Sequence, residues 1–289
     1  MALKAITCLH HGFEFERSSL ATAAELTKAV GGHLKIVHAA FLARPYAGFY
    51  GEAVAIGWED ALENTLAQQI DKARSAAAEV CAAHGLPLDD GAGGALPKAS
   101  FVALSNYTTK TLARDLSLAD LIVSGAQQGA IEFGDNAVNE VALFSTGRPL
   151  LVVRPSEGSA AVPLLDVPCA IAWNDSPESV NALVRGRPLY AQASAVHLFS
   201  ARDGRADAPS DHQNLALEYL AAHGIKASLE FVTPQGGDAA EDVLSRALAL
   251  GCGYIGMGAY GHSVFREMIL GGFSEAMLHK SALPLLLCH

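Results

Sequence analysis

No stretch of the chain approaches the roughly 18 to 20 uninterrupted apolar residues that a bilayer-spanning helix needs. Met1-Ala2-Leu3-Lys4 leads directly into a strand-like segment where a secretory leader would carry an apolar core. The expectation is a cytoplasmic protein with no membrane partner. Basic residues are few beside acidic ones: 20 Lys and Arg face 30 Asp and Glu, a formal net charge of −10. That balance disfavours broad attachment to nucleic acid or anionic lipid and requires any anion site to work locally. Cysteine is sparse. Cys8, Cys81, Cys169, Cys252 and Cys288 are odd in number, scattered, mostly set in apolar segments and without C-x2-C spacing. They read as reduced core residues rather than thiol nucleophiles or metal ligands. The pairs His10-His11 and Cys288-His289 could ligate a metal only if folding added further ligands, because neighbours on a strand face opposite ways. The G-x4-G-K-[ST] phosphate loop is also missing.

What is present is a chain written twice. With 289 residues, 51% of them hydrophobic, there is material for one large core or two ordinary ones. Ala5-Ile6-Thr7-Cys8-Leu9-His10-His11 is an apolar strand, followed by the polar run Glu14 to Ser19 and an alanine-rich helix. Cys169-Ala170-Ile171-Ala172-Trp173-Asn174-Asp175 restarts that pattern, followed by Ser176-Pro177-Glu178-Ser179 and another helix. Later, Asp120 to Gly125 matches Gly253 to Gly258, and Arg148 to Val153 matches Leu283 to Cys288.

Between the matching pieces, strand-length apolar runs at His33 to His38, Ala195 to Phe199 and Lys226 to Val232 alternate with helical segments. The helices cover Ala61 to His84, Asn214 to His223 and Asp238 to Leu250, the first two ending at Gly85 and Gly224. Alternation of this kind predicts two α/β domains, each a doubly wound parallel sheet of about five strands and four helices. The third strand of the first half, around Leu96 to Val102, is poorly marked. Arg154-Pro155-Ser156-Glu157-Gly158-Ser159 punctuates the junction and places the domains at 1–157 and 158–289. Gly125 aligns with Gly258 at an offset of 133 and Leu9 with Trp173 at 164, so the first half carries about 31 extra residues. Most fall between Arg44 and Gln69, a segment containing Pro45 to Gly51 that reads as a covering loop.

The segment best suited to touch a ligand is Gly258 to Ser274. The strand Tyr254 to Met257 precedes Gly258-Ala259-Tyr260-Gly261, then nine residues follow, then Gly271-Gly272 opens a helix. Amides at such a helix start attract anions, and glycines let main chain approach a phosphate.

A repeated strand–helix unit ending in G-x2-G-x9-G before a helix and a final apolar strand resembles the universal stress protein family in its tandem form. The resemblance covers nearly the whole chain, and Asn174-Asp175-Ser176 after the restarting strand is its second motif. It implies Rossmann-like domains, similar to adenine nucleotide alpha-hydrolases. It also implies that ATP or a related adenine nucleotide is the cofactor, with or without magnesium. The nucleotide-binding set so implied is Asn174, Asp175, Ser176, Met257, Gly258, Gly261, His262, Arg266, Gly271, Gly272, Phe273 and Ser274. Asp175 would contact the nucleoside, or cap the helix beginning near Pro177. Gly258, Gly261 and Gly271 would shape the phosphate loop, with His262 and Arg266 in reach of phosphate or simply solvated.

The sequence also departs from that family. ATP-binding members usually place Ser or Thr directly after the last motif glycine, where this chain has Gly272; Ser274 is the nearest hydroxyl. The first half keeps neither motif. His11-Gly12-Phe13 stands for Asn174-Asp175-Ser176, and Ala126 to Asn136 lacks the glycine spacing and carries Glu132 and Asp135, which would repel a polyphosphate in the same cleft. The first half is therefore expected to be scaffold or to bind something else. Three functions stay open: a nucleotide-binding stress or signalling protein acting through conformation or association, a slow ATP hydrolase, and a ligand-independent interaction protein. The apolar last strands could be buried within each domain or pair edge to edge within the chain, and a homodimer is a further option.

Overall fold

The computed structural model describes residues 3–40, 52–91, 93–105, 107–126, 138–201, 209–232, 238–260 and 272–289, with the backbone alone over 52–62 and at 201. The first half runs β1 (Ala5–Leu9), α1 (Arg17–Val30), β2 (His33–Ala40), α2 (Glu52–Ala83), β3 (Lys98–Ser105), α3 (Thr109–Leu116), β4 (Leu121–Gly125), α4 (Val138–Phe144) and β5 (Leu150–Val153). The second runs β6 (Pro168–Trp173), α5 (Pro177–Tyr190), β7 (Ala195–Ala201), α6 (Asp211–Ala222), β8 (Ala227–Val232), α7 (Ala239–Ala249), β9 (Tyr254–Gly258), α8 (Gly272–Lys280) and β10 (Leu285–Cys288).

All ten strands form one sheet in the order β3-β2-β1-β4-β5-β10-β9-β6-β7-β8. Each half contributes the same doubly wound order, and every pairing is parallel except β5 with β10. That antiparallel seam sets Leu285 opposite Val152 and Leu287 opposite Leu150. β5 and β10 are therefore central strands with neighbours on both sides, and all four residues of each are buried. Burial on both faces accounts for their unbroken apolar sequence.

Helices cover the two faces, and strand alternation divides the core between them. Ile6, Cys8, Leu151, Tyr254 and Leu286 pack under α1, α2, α5 and α6. Leu9, Leu150, Ile255, Met257 and Leu287 pack on the opposite side with α3, α4, α7 and α8. All five cysteines are free and buried within these layers.

Local signals fix the helix ends. Ser210 caps α6 by accepting from Gln213 N at 3.2 Å, and Asp238 caps α7 by accepting from Ala240 N at 2.9 Å. α1 ends at Gly31, whose φ of 60° suits a left-handed C-cap. Past β5, the junction lies along α1: Ser156 N donates to Ser18 Oγ at 2.9 Å, and Val162 N to Thr22 Oγ1 at 2.8 Å.

Two segments depart from the sequence expectation. Residues 52–60, taken for part of a covering loop before a helix starting at Ala61, already belong to the 32-residue helix α2. Their helix formers, such as Glu52 and Ala53, outweigh the single Gly57. Pro45 to Gly51 lie outside the described residues. β3 forms a full eight-residue strand paired with β2 along its whole length, although its polar positions obscured the pattern. Among the described residues, no helix is long and apolar enough to cross a membrane.

Candidate functional site

In an open α/β sheet, ligands settle beyond the carboxyl ends of the strands where the winding direction switches. In the second half that point lies between β6 and β9, which pair with Ala172 beside Met257. Their two turns therefore emerge next to each other.

The turn after β6 is built by its own side chains. Asn174 Oδ1 accepts from Ser176 N at 3.3 Å, and Ser176 Oγ accepts from Ser179 N at 3.1 Å. Pro177 occupies the first helical position, where its missing N–H costs nothing. Ser176, not Asp175, is thus the helix cap. Asp175 itself adopts a left-handed backbone at φ +61°, and its carboxylate is left half-exposed, 3.9 Å from His212 Nδ1 in the first turn of α6.

The turn after β9 is held from three directions. Ala259 N donates to Cys288 O at 2.8 Å, and His289 Nδ1 donates to Ala259 O at 3.0 Å. Tyr260, left-handed at φ +61°, donates its N–H to Ser274 Oγ at 3.4 Å. Ser274 is buried in the first turn of α8 and so ties the two ends of the glycine segment together. Gly258 has a packing role as well: a β-carbon there would fall 2.6 Å from the Glu178 carbonyl carbon and the Ser179 nitrogen. The absent side chain is what lets β9 lie against the start of α5. Gly272 differs, since a β-carbon there would meet nothing within 4 Å.

Asn174, Asp175, Ser176, Gly258, Gly272 and Ser274 are thus brought to one edge of the sheet. Met257 lies beside them with its side chain buried in the core, and Phe273 packs partly against the same layer. Gly261, His262, Arg266 and Gly271 lie outside the described residues. Reasoning from sequence missed His212, whose approach to Asp175 depends on how α6 docks, and Tyr260, whose left-handed backbone has no sequence signal beyond the flanking glycines. It also missed two buried polar atoms flanking the site, Trp173 Nε1 and Glu178 Oε2, which have no hydrogen-bond partner among the described residues.

The first half repeats the frame with other chemistry. A β-carbon on Gly125 would fall 3.0 Å from Glu16 Cα and 2.9 Å from Ser19 Oγ, the same approach of fourth strand to first helix. Ser19 Oγ donates to Glu16 O at 2.7 Å as Ser179 Oγ donates to Ser176 O at 2.8 Å. Glu16 therefore stands where the second half has its neutral cap Ser176. This buried carboxylate accepts from His11 N at 2.7 Å, His11 Nδ1 at 2.8 Å and Phe13 N at 3.2 Å. Burial pushes Glu16 up, but hydrogen bonds from His11 and the charges of His11 and His10 outweigh it and hold the carboxyl below its ordinary value.

His10, with no exposed surface, lies with Nδ1 3.5 Å from Glu16, and burial lowers it to about 4. Burial also lowers His38, whose Nδ1 donates to His10 O at 3.2 Å. Folding thus does gather His10, His11, His38 and Glu16. Even so, no group of three or more His, Cys, Asp or Glu among the described residues is arranged to hold a metal ion. Glu132 and Asp135 lie outside the described residues.

No protein-family model matches the sequence, and no curated protein matches it. The fold does have solved counterparts. A universal stress protein from Archaeoglobus fulgidus DSM 4304 superposes over 99% of this chain and 97% of its own, with a TM-score of 0.69 at 16% identity. The chain has the universal stress protein fold across both of its halves. A functionally unknown protein from Pseudomonas aeruginosa PAO1 covers 99% of the chain and 92% of its own, with a TM-score of 0.55 at 15% identity. A Pseudomonas aeruginosa UCBPP-PA14 protein provisionally described as a universal stress protein covers 99% and 93%, with a TM-score of 0.54 at 15% identity. At these identities the likeness is one of fold. It agrees with the tandem universal stress architecture that the repeat implied, and the mostly parallel sheet with alternating helices is the Rossmann-like arrangement expected.

Proposed function

We propose that this protein binds one molecule of ATP, or a related adenine nucleotide, in its second half, and acts in stress response or signalling by changing conformation or association when it does so. The domains are 1–157 and 158–289, and the β5–β10 seam gives one chain the paired geometry that two single domains would reach by dimerising. Asn174, Asp175 and Ser176 take the nucleoside side. Gly258, Gly261, Gly271 and the amides from Gly272 to Ser274 take the phosphates, with His262 and Arg266 in support and magnesium accompanying the polyphosphate. Met257 and Phe273 form the apolar floor.

One observation carries this reading. At the switch point, a left-handed Asp175 relieved of capping by Ser176 follows β6, and the adjacent strand β9 leads into the glycine turn that Ser274 ties to the start of α8. A helix start offers unpaired N–H groups and a positive dipole end to an anion, and Asp175 offers an acceptor to a ribose or base donor. In the first half the matching position holds the ionised Glu16, which repels phosphate. The asymmetry of the two halves follows from that exchange. Hydrolysis is not part of the proposal, because phosphoryl transfer needs a positioned metal and water that no motif in the sequence supplies.

Thermal unfolding of the full chain with and without millimolar ATP and magnesium tests the reading. Stabilisation by nucleotide, abolished in Gly261→Val and Gly271→Val, is expected. No shift in the wild-type protein would remove the proposal.

A further inference from the structure

We infer that the first half supplies a positioning residue to the second half's site: Phe144, at the end of α4, holds the Gly258–Tyr260 turn in its binding shape. The inference rests on the reading of that turn as part of a nucleotide site.

A residue with a β-carbon leaves the left-handed region readily unless its surroundings hold it there, so Tyr260 at φ +61° needs an explanation in contacts. Its ring lies 5.3 Å from the Phe144 ring, tilted by 53°. Phe144 also meets His289 edge-on, at 4.8 Å and 79°. His289 in turn donates through Nδ1 to Ala259 O, and its own carbonyl accepts from Arg185 at 2.9 Å. One side chain of the first half thus touches both the left-handed residue and the imidazole that fixes the residue before it. Both ring geometries are of the tilted or edge-to-face kind that aromatic pairs favour.

The contact belongs to a reciprocal exchange across the β5–β10 seam. His289 follows β10 directly and reaches α4, while Arg154 follows β5 directly and its guanidinium donates to Leu278 O in α8. Each half is thus gripped just past its last strand by the other. Only the second half carries the glycine turn, so the grip acts on binding in one direction. Phe144 itself is 38% exposed, which leaves room to change it without opening the core.

Hydrogen exchange of the full-length chain, read on peptides covering 254–260, tests this together with ATP titration. Phe144→Ala should speed exchange at the Ala259 and Tyr260 amides by about two- to tenfold, the range that loss of an aromatic pair allows, while β1 and β2 stay at the wild-type rate. ATP affinity should fall by a similar factor, and Phe144→Tyr should restore both. Unchanged exchange at 259–260, or acceleration spread evenly over both halves, would overturn the inference. If the wild-type chain binds no ATP, the proposed function fails, and the exchange measurement still decides the role of Phe144.

Discussion

Acid should loosen the first half through His10. Its ring is fully buried, faces Glu16, His11, His38 and Arg17, and ionises at about 4 when folded, chiefly because burial disfavours the cation. Unfolded, a histidine ionises near 6.5. The unfolded chain therefore binds the extra proton first, and the stability contributed by the neutral ring is fully present above pH 6.5 and lost as pH falls to about 4. The interval corresponds to about 3 kcal/mol at most. His38 moves in the same direction. Glu16, held below its ordinary value, adds a loss only when pH falls below the ordinary glutamate range.

At about 2 to 4 °C per kcal/mol, His10 alone accounts for roughly 6 to 12 °C of melting temperature between pH 7 and pH 4. Calorimetry across that range on wild type and His10→Gln isolates it, since the other ten of the 11 histidines are common to both proteins. The variant is expected to be less stable at pH 7 and to show a flatter pH profile. Equal slopes in the two proteins, or a His10 ring that titrates near pH 6.5 by NMR, would refute the reasoning.

Gly272 offers the opposite kind of test, because open space surrounds its missing β-carbon. Gly272→Ser should tighten ATP binding about three- to tenfold in a calorimetric titration, the gain of one hydrogen bond to phosphate; unchanged or weaker binding would count against the placement of the phosphates. Gly258→Ala should cost about 1 to 3 kcal/mol in urea unfolding, because its methyl group would strike backbone 2.6 Å away at the start of α5, and Gly125→Ala should cost less because its nearest atoms, Ser19 Oγ and Glu16 Cα, stand at 2.9 and 3.0 Å. Alkylation at pH 8 should leave all five thiols unmodified in the folded protein, since burial pushes Cys81, Cys169 and Cys288 up to about 12 and Cys252 to about 11, and raises Cys8 well above its ordinary value.

The repeat was legible because parallel strands buried on both faces cannot hide. Leu150 to Val153 and Leu285 to Cys288 announce themselves by composition alone, and so do the turn at Ser176-Pro177 and the stops at Gly85 and Gly224. β3 was obscure because its last residues alternate with solvent, and α2 was misjudged because Gly57 and the glycines and aromatics before it resemble a loop. In the candidate site, the segment opening at Gly258 was marked by its glycines, whereas Asn174 to Ser176 entered only through the family resemblance. The division of labour between Ser176 and Asp175 could not be read, since either side chain can cap a helix and only the fold chooses. Phe144 was out of reach for another reason. It arrives from the other half through the antiparallel seam, and no pattern local to Gly258–Tyr260 encodes it.

The proposed function requires a single adenine-nucleotide site per chain, in the second half. Native mass spectrometry of the full-length protein with ATP and magnesium reads it most directly. A mass increment of one nucleotide per chain is expected, lost in Gly271→Val and retained in His11→Ala. No bound nucleotide at millimolar ATP, or two per chain, would contradict it.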